Sequence, residues 1–145
     1  MIEPKMRLRI SVMGLFVKSD SVLMIHKIKG PQPDRWDLPG GGLQPGAPMM
    51  VALQREIQEE TGLTEFRVQG VVAIAEDFFP NWQGQPLHSL SLIYHCSVEG
   101  EPLLNPCDRR EVGSKGVQWL SIATLTPEIC SSRSWKALQA LESSS

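Results

Sequence analysis

The segment that most restricts what this chain can become runs from Gly40-Gly41-Gly42, through the turn Gln44-Pro45-Gly46, to Arg55-Glu56-Ile57-Gln58-Glu59-Glu60. Pro48 suits the first position of a helix, where its missing N–H is not needed. Met49 to Thr61 is helical in composition, and Gly62 stands where a helix takes a left-handed cap. On that helix Glu56, Glu59 and Glu60 share an arc of about 100°. Met50, Leu53 and Ile57 take the adjoining arc, which is expected to face the core, so the carboxylates lie at its edge. Charges at i, i+3 and i+4 repel one another by roughly a few tenths of a kcal/mol per pair. The repulsion grows with burial unless a cation stands among them. Oxygen-only donors select a hard ion, Mg²⁺ or Mn²⁺, which can hold phosphates and activate water for in-line attack. The glycines beforehand let backbone groups approach the ion or the phosphate closely.

The rest of the chain alternates between strand and helix patterns. Arg7 to Val17 and Val22 to Ile28 read as two strands around the polar break Lys18-Ser19-Asp20. Apolar residues on both faces of the first suggest cover on both sides. Phe66 to Ala75, Leu87 to Val98 and a short run at Val117–Leu120 are further strands, with Glu99 to Lys115 a polar loop. Ser134 to Leu141 forms a closing helix, and the Ser143-Ser144-Ser145 tail is expected to fray. No repeat or linker divides residues 1–145, so one domain is expected, with helices packed on a sheet.

Charge and composition narrow the function classes. At 41% hydrophobic and a formal net charge of −2, the chain is neither disordered nor a basic nucleic-acid binder. Cys96, Cys107 and Cys130 have no disulfide or zinc spacing and read as free thiols in a reducing compartment. The N-terminal run carries charges at Glu3, Lys5, Arg7 and Arg9 and does not read as a signal peptide. No stretch reaches the roughly 20 apolar residues of a membrane span. A cytoplasmic protein with no membrane partner is expected.

Each of these signals alone is weak, since Glu-rich helices are usually solvated faces. Together, Gly41 through Leu63 resemble the Nudix box, G-x5-E-x7-R-E-U-x-E-E-x-G-U, in which U is a bulky apolar residue. Gly41, Arg55, Glu56, Ile57, Glu59, Glu60, Gly62 and Leu63 stand at the required spacings. Trp36-Asp37-Leu38-Pro39-Gly40-Gly41 looks like the family's lead-in, and Trp119-Leu120-Ser121 like its last strand. One position departs: Ala47 stands where the box has its first glutamate. In the family that residue usually pairs with the box arginine and braces the loop, so the expectation is a looser loop or a substitute partner for Arg55, such as a carboxylate from another segment.

The resemblance implies an α/β/α sandwich with a mixed β-sheet. It implies hydrolysis of a nucleoside diphosphate linked to another group, such as ADP-ribose, a nucleotide sugar or a nucleoside triphosphate. By position, Glu56 and Glu60 are the principal ligands of Mg²⁺ or Mn²⁺, Glu59 is a third, and the Gly40 carbonyl completes the set. Arg55 and Gly62 are structural. The general base lies within the box at Glu59 or Glu56, or outside it at Glu111, ahead of Glu99 and Glu101. Beside the resemblance, Lys27, Lys29 or Arg35, together with the Gly41 and Gly42 backbone, are candidates for phosphate binding. Trp36, Phe78, Phe79 and Trp82 are candidates for stacking on a base. Pro80 leans the reading towards ADP-ribose. A small nucleotide is the expected partner, and the family's frequent dimers suggest a homodimer. The rival reading, favoured by Ala47, is a non-catalytic nucleotide-binding sensor.

Overall fold

The computed structural model describes residues 5–107 and 110–143, so Glu3, Arg109 and the Ser144-Ser145 end of the tail lie outside it. Strand β1 (Arg7–Lys18) turns through Ser19-Asp20 into β2 (Ser21–Lys27), with Val17 opposite Val22. Two three-residue strands follow, β3 (Arg35–Asp37) against β2 and β4 (Gly40–Gly42) against the middle of β1. Helix α1 (Met49–Thr61) leads to a long hairpin, β5 (Arg67–Trp82) with β6 (Gln85–Ser97). Strand β7 (Val112–Ser121) returns to β2, a 3₁₀ turn covers Ile122–Thr124, and α2 (Ser132–Ser143) closes the described chain.

β1 and β6 run parallel from Arg7 opposite Leu87 to Phe16 opposite Cys96, while the other pairings are antiparallel. The sheet is therefore mixed. Val12 to Phe16 are all fully buried because alternate residues serve different layers. Val12 and Phe16 join Ala52, Leu53 and Ile57 of α1. Met13 and Leu15 join Ala137 and Leu138 of α2. The expected α/β/α sandwich results, with one helix on each face.

Several local expectations are corrected. Met50 is 38% exposed, because burial on α1 runs through Ala52, Leu53, Ile57, Glu60 and Thr61 and leaves the first turn outside. Pro48 is the residue before the helix, with extended backbone, and its carbonyl accepts from the Ala52 N–H. The three glycines form a paired strand instead of a loose turn. β5 continues past Ala75 to Trp82, because β6 supplies ladder partners that its mixed polar and aromatic sequence did not advertise. Pro80 sits inside this strand where the pairing register slips between Phe79 and Trp82, an arrangement open to a residue without an N–H on an edge strand. β7 begins at Val112, earlier than its apolar centre suggested. Among the described residues no helix is long and apolar enough to cross a membrane.

Candidate active site

Helix α1 ends as its sequence predicts. Gly62 takes φ 84, and its N–H returns to the Gln58 carbonyl. The last two turns are thereby held under β4, and the three glutamates meet the glycines there. Glu56 keeps 16% of its side chain exposed, Glu59 39% and Glu60 1%. A Cβ on Gly41 would stand 2.6 Å from the Glu56 Cδ, so only glycine lets that carboxylate lie against the strand. Glu60 Oε1 accepts from the Gly40 N–H at 2.7 Å.

Lys27, at the end of β2, faces the same point. Its Nζ lies 2.9 Å from Glu111 Oε2 and 3.8 Å from Glu60 Oε2, with 11% of the side chain exposed. Burial pushes the Glu60 carboxyl up to about 8; Lys27 and the Gly40 N–H oppose the shift, and Glu56 adds to it. These residues, with Arg9, Leu43 and Pro45, line a cleft of about 420 Å³.

A larger cavity of about 560 Å³ adjoins it, and the two share Arg9, Lys27 and Glu111. Phe79, Trp82 and Leu87 give it an apolar wall, while Asp37, Ser131 and Arg133 give it a polar one. Arg133 donates to Asp37 through Nε and Nη2, the latter at 2.8 Å, and Ser131 Oγ donates to Asp37 Oδ1 at 2.7 Å. Burial disfavours the Asp37 carboxylate, but Arg133 outweighs it and holds the group below the usual range.

The donor set at the first cleft fits a hard divalent cation. Every carboxylate there offers oxygen, the Glu56 carboxylate is cradled by a glycine, and Glu60 is buried where desolvation favours its neutral form and Lys27 opposes it. Among the described residues no three His, Cys, Asp or Glu side chains already converge as a ligand set. Glu60 is instead turned to Gly40, and Arg55 holds Glu56 at 3.3 Å and Glu59 at 3.9 Å. The substitute partner for Arg55 thus comes from its own helix, one turn or less away, and not from another segment. The arginine side chain is 51% exposed.

The structure brings together Lys27, Gly40, Gly41, Gly42, Glu56, Glu59, Glu60 and Glu111. Arg35 lines neither cavity; it turns to the Pro127 and Cys130 carbonyls, across the sheet edge that β3 forms. Phe79 and Trp82 face the larger cavity, whereas Phe78 is 57% exposed and stacks on His88, and Trp36 packs against the α2 layer. His26 bonds Asp34 at 2.6 Å and lines neither cavity. Sequence reasoning missed Arg9, Ser131 and Arg133 entirely, and quoted Asp37 only as lead-in. Nothing local marks them, since they meet through the sheet register and the docking of α2.

The family model for the NUDIX domain matches residues 5–141. The chain is 42% identical over 53 residues to 8-oxo-dGDP phosphatase NUDT18 of Mus musculus, a match covering 36% of this chain and 16% of that protein. It is 32% identical over 77 residues to RNA pyrophosphohydrolase of Caulobacter vibrioides, covering 52% of this chain and 45% of that one. The matches thus span less than half the length of these relatives. The MutT NUDIX hydrolase structure from Burkholderia pseudomallei covers 93% of this chain and 98% of its own at TM-score 0.76 and 19% identity, a likeness of fold.

Proposed function

We propose, for a chain that belongs to the NUDIX domain family, the metal-dependent hydrolysis of a diphosphate bond in a nucleoside diphosphate linked to another moiety. The observation that carries this reading is the buried Glu60 beside Glu56 under the β4 glycines, at the floor of an open cleft. Glu56, Glu60, Glu59 and the Gly40 carbonyl are the groups that would hold Mg²⁺ or Mn²⁺. The bound ion supplies charge neutralisation at the diphosphate and an acidified water.

The protein's own residues do the rest. Lys27 offers positive charge to the phosphate chain, and Gly41 and Gly42, which line the cleft without side chains, leave room for it. The general base is either Glu111, which pairs with Lys27 in the cleft, or Glu59 on the helix. The adjoining cavity takes the nucleoside half, with Phe79 and Trp82 as its aromatic wall. The names of the relatives, 8-oxo-dGDP phosphatase and RNA pyrophosphohydrolase, both describe phosphoanhydride chemistry next to a nucleoside. They support the bond class and leave ADP-ribose, nucleotide sugars and nucleoside triphosphates as the compounds to screen.

A second reading, the non-catalytic nucleotide sensor, rests on Ala47 and on Arg55 occupying Glu56 and Glu59. A phosphate-release screen with Mg²⁺ and Mn²⁺ separates the two. The hydrolase turns over at least one nucleotide, and Glu56→Gln lowers that turnover by about a hundredfold or more with folding intact. Tight nucleotide binding without turnover establishes the sensor.

A further inference from the structure

Four cations line the two cavities among the described residues, and of these Lys29 is exposed and lines the larger cavity alone. Lys27 is paired with Glu111, and Arg133 is paired with Asp37. Arg9 differs. It projects from β1 beyond the point where Ser11 pairs with Gly42, and it lines both the cleft and the larger cavity. Its guanidinium donates to no described acceptor, and no described carboxylate stands within ion-pair distance of it.

The surroundings hold that side chain in place without satisfying it. Trp82 flanks it, with its ring centroid 5.9 Å away, and Arg7 holds the same tryptophan through its carbonyl and its ring. A Cβ on Gly42 would stand 3.2 Å from Arg9 Nε and 3.3 Å from Nη2, so glycine at 42 leaves the guanidinium its space. Burial and Arg133 both disfavour its charge, against the support of Glu111, Glu56 and Asp37. With no described acceptor engaged, the half-buried guanidinium keeps its donors for a ligand at the cavities it lines. Its planar fork matches two oxygens of one phosphoryl group.

We propose that Arg9 binds the phosphoryl group joined directly to the nucleoside, where the two cavities meet. The remaining phosphates then run into the carboxylate cleft and the nucleoside into the larger cavity. This assignment rests on the nucleotide reading above. It makes Arg9 a binding residue that measures whether a phosphate stands at the sugar.

The test is a calorimetric comparison of the common ribonucleoside 5′-monophosphates with their parent nucleosides, in chelator, on the full chain. Wild-type protein binds the best monophosphate about tenfold or more tightly than its nucleoside. In Arg9→Gln that ratio falls close to one while nucleoside affinity stays within about twofold, and Arg9→Lys restores part of the ratio. An unchanged ratio in Arg9→Gln overturns the assignment alone. So does equal weakening of both ligands, which marks a merely structural contact with Trp82. Wild-type protein that binds neither ligand overturns it together with the nucleotide reading.

Discussion

Replacing Glu60 by glutamine isolates the cost of keeping a carboxylate in the floor of the cleft. The side chain is 1% exposed, and burial raises its pKa from 4.5 to about 8. A folded-state pKa above the unfolded one means that the folded chain holds the proton more tightly. The stability this provides is complete below pH 4.5 and is lost as pH rises through about 8. At about 1.4 kcal/mol per pH unit the interval amounts to about 5 kcal/mol, comparable to the whole stability of a small domain.

Glutamine has the shape of the protonated acid and keeps an oxygen for the Gly40 N–H, but it does not ionise. Guanidinium unfolding of both proteins in chelator, at pH 5 and pH 9, measures the effect by difference, so other titrating groups cancel. The two curves nearly coincide at the lower pH, and the variant is the more stable by several kcal/mol at the higher. Adding Mg²⁺ at pH 9 then recovers stability in the wild type and not in the variant, because the ion binds the ionised form. A wild-type minus variant difference that does not change with pH refutes the reasoning, since Glu60 would then be no harder to ionise folded than unfolded.

Other perturbations test the neighbouring geometry. Gly41→Ala places a methyl 2.6 Å from the Glu56 Cδ. The flexible carboxylate swings aside at a stability cost under about 1 kcal/mol, while turnover falls more than about tenfold; denaturation midpoints and initial rates read the two effects separately. Asp37→Asn leaves Arg133 buried without its counter-charge and destabilises by about 3–5 kcal/mol at neutral pH. Because the Asp37 carboxyl is held below its ordinary 3.8, the stability it supplies is present above that pH and is lost as pH falls through the lower folded value. The deficit of the variant therefore narrows in acid, which melting at pH 7 and pH 3 checks. Ala47→Glu gives the half-exposed Arg55 a partner outside its helix, for a gain under about 1 kcal/mol. It also releases Glu56 and Glu59, so the Mg²⁺ concentration for half-maximal turnover drops; an unchanged Mg²⁺ titration counts against that pairing.

What was legible in the residues was local. The span of α1, its glycine cap and the shared arc of Glu56, Glu59 and Glu60 follow from helical period and capping, which depend on neighbours within four positions. Cover on both sides of β1 was legible too, because the strand is apolar on both faces, while the α/β/α sandwich was what the family resemblance implied. The partner of Arg55 was misjudged because a lost glutamate says nothing about which carboxylate replaces it. Arg35 and Arg9 show the boundary most clearly. Arg35 lies beside the glycines in sequence and is carried off by β3 to the Pro127 and Cys130 carbonyls. Arg9 lies far away and is brought onto Gly42 by the pairing of β1 with β4. The chain alone determined the carboxylate helix and its glycine cap, since those depend on spacing along one element. Tertiary structure decided which cations face that helix, how deeply Glu60 is buried and where the second cavity opens, since those depend on sheet register and helix docking between residues remote in sequence.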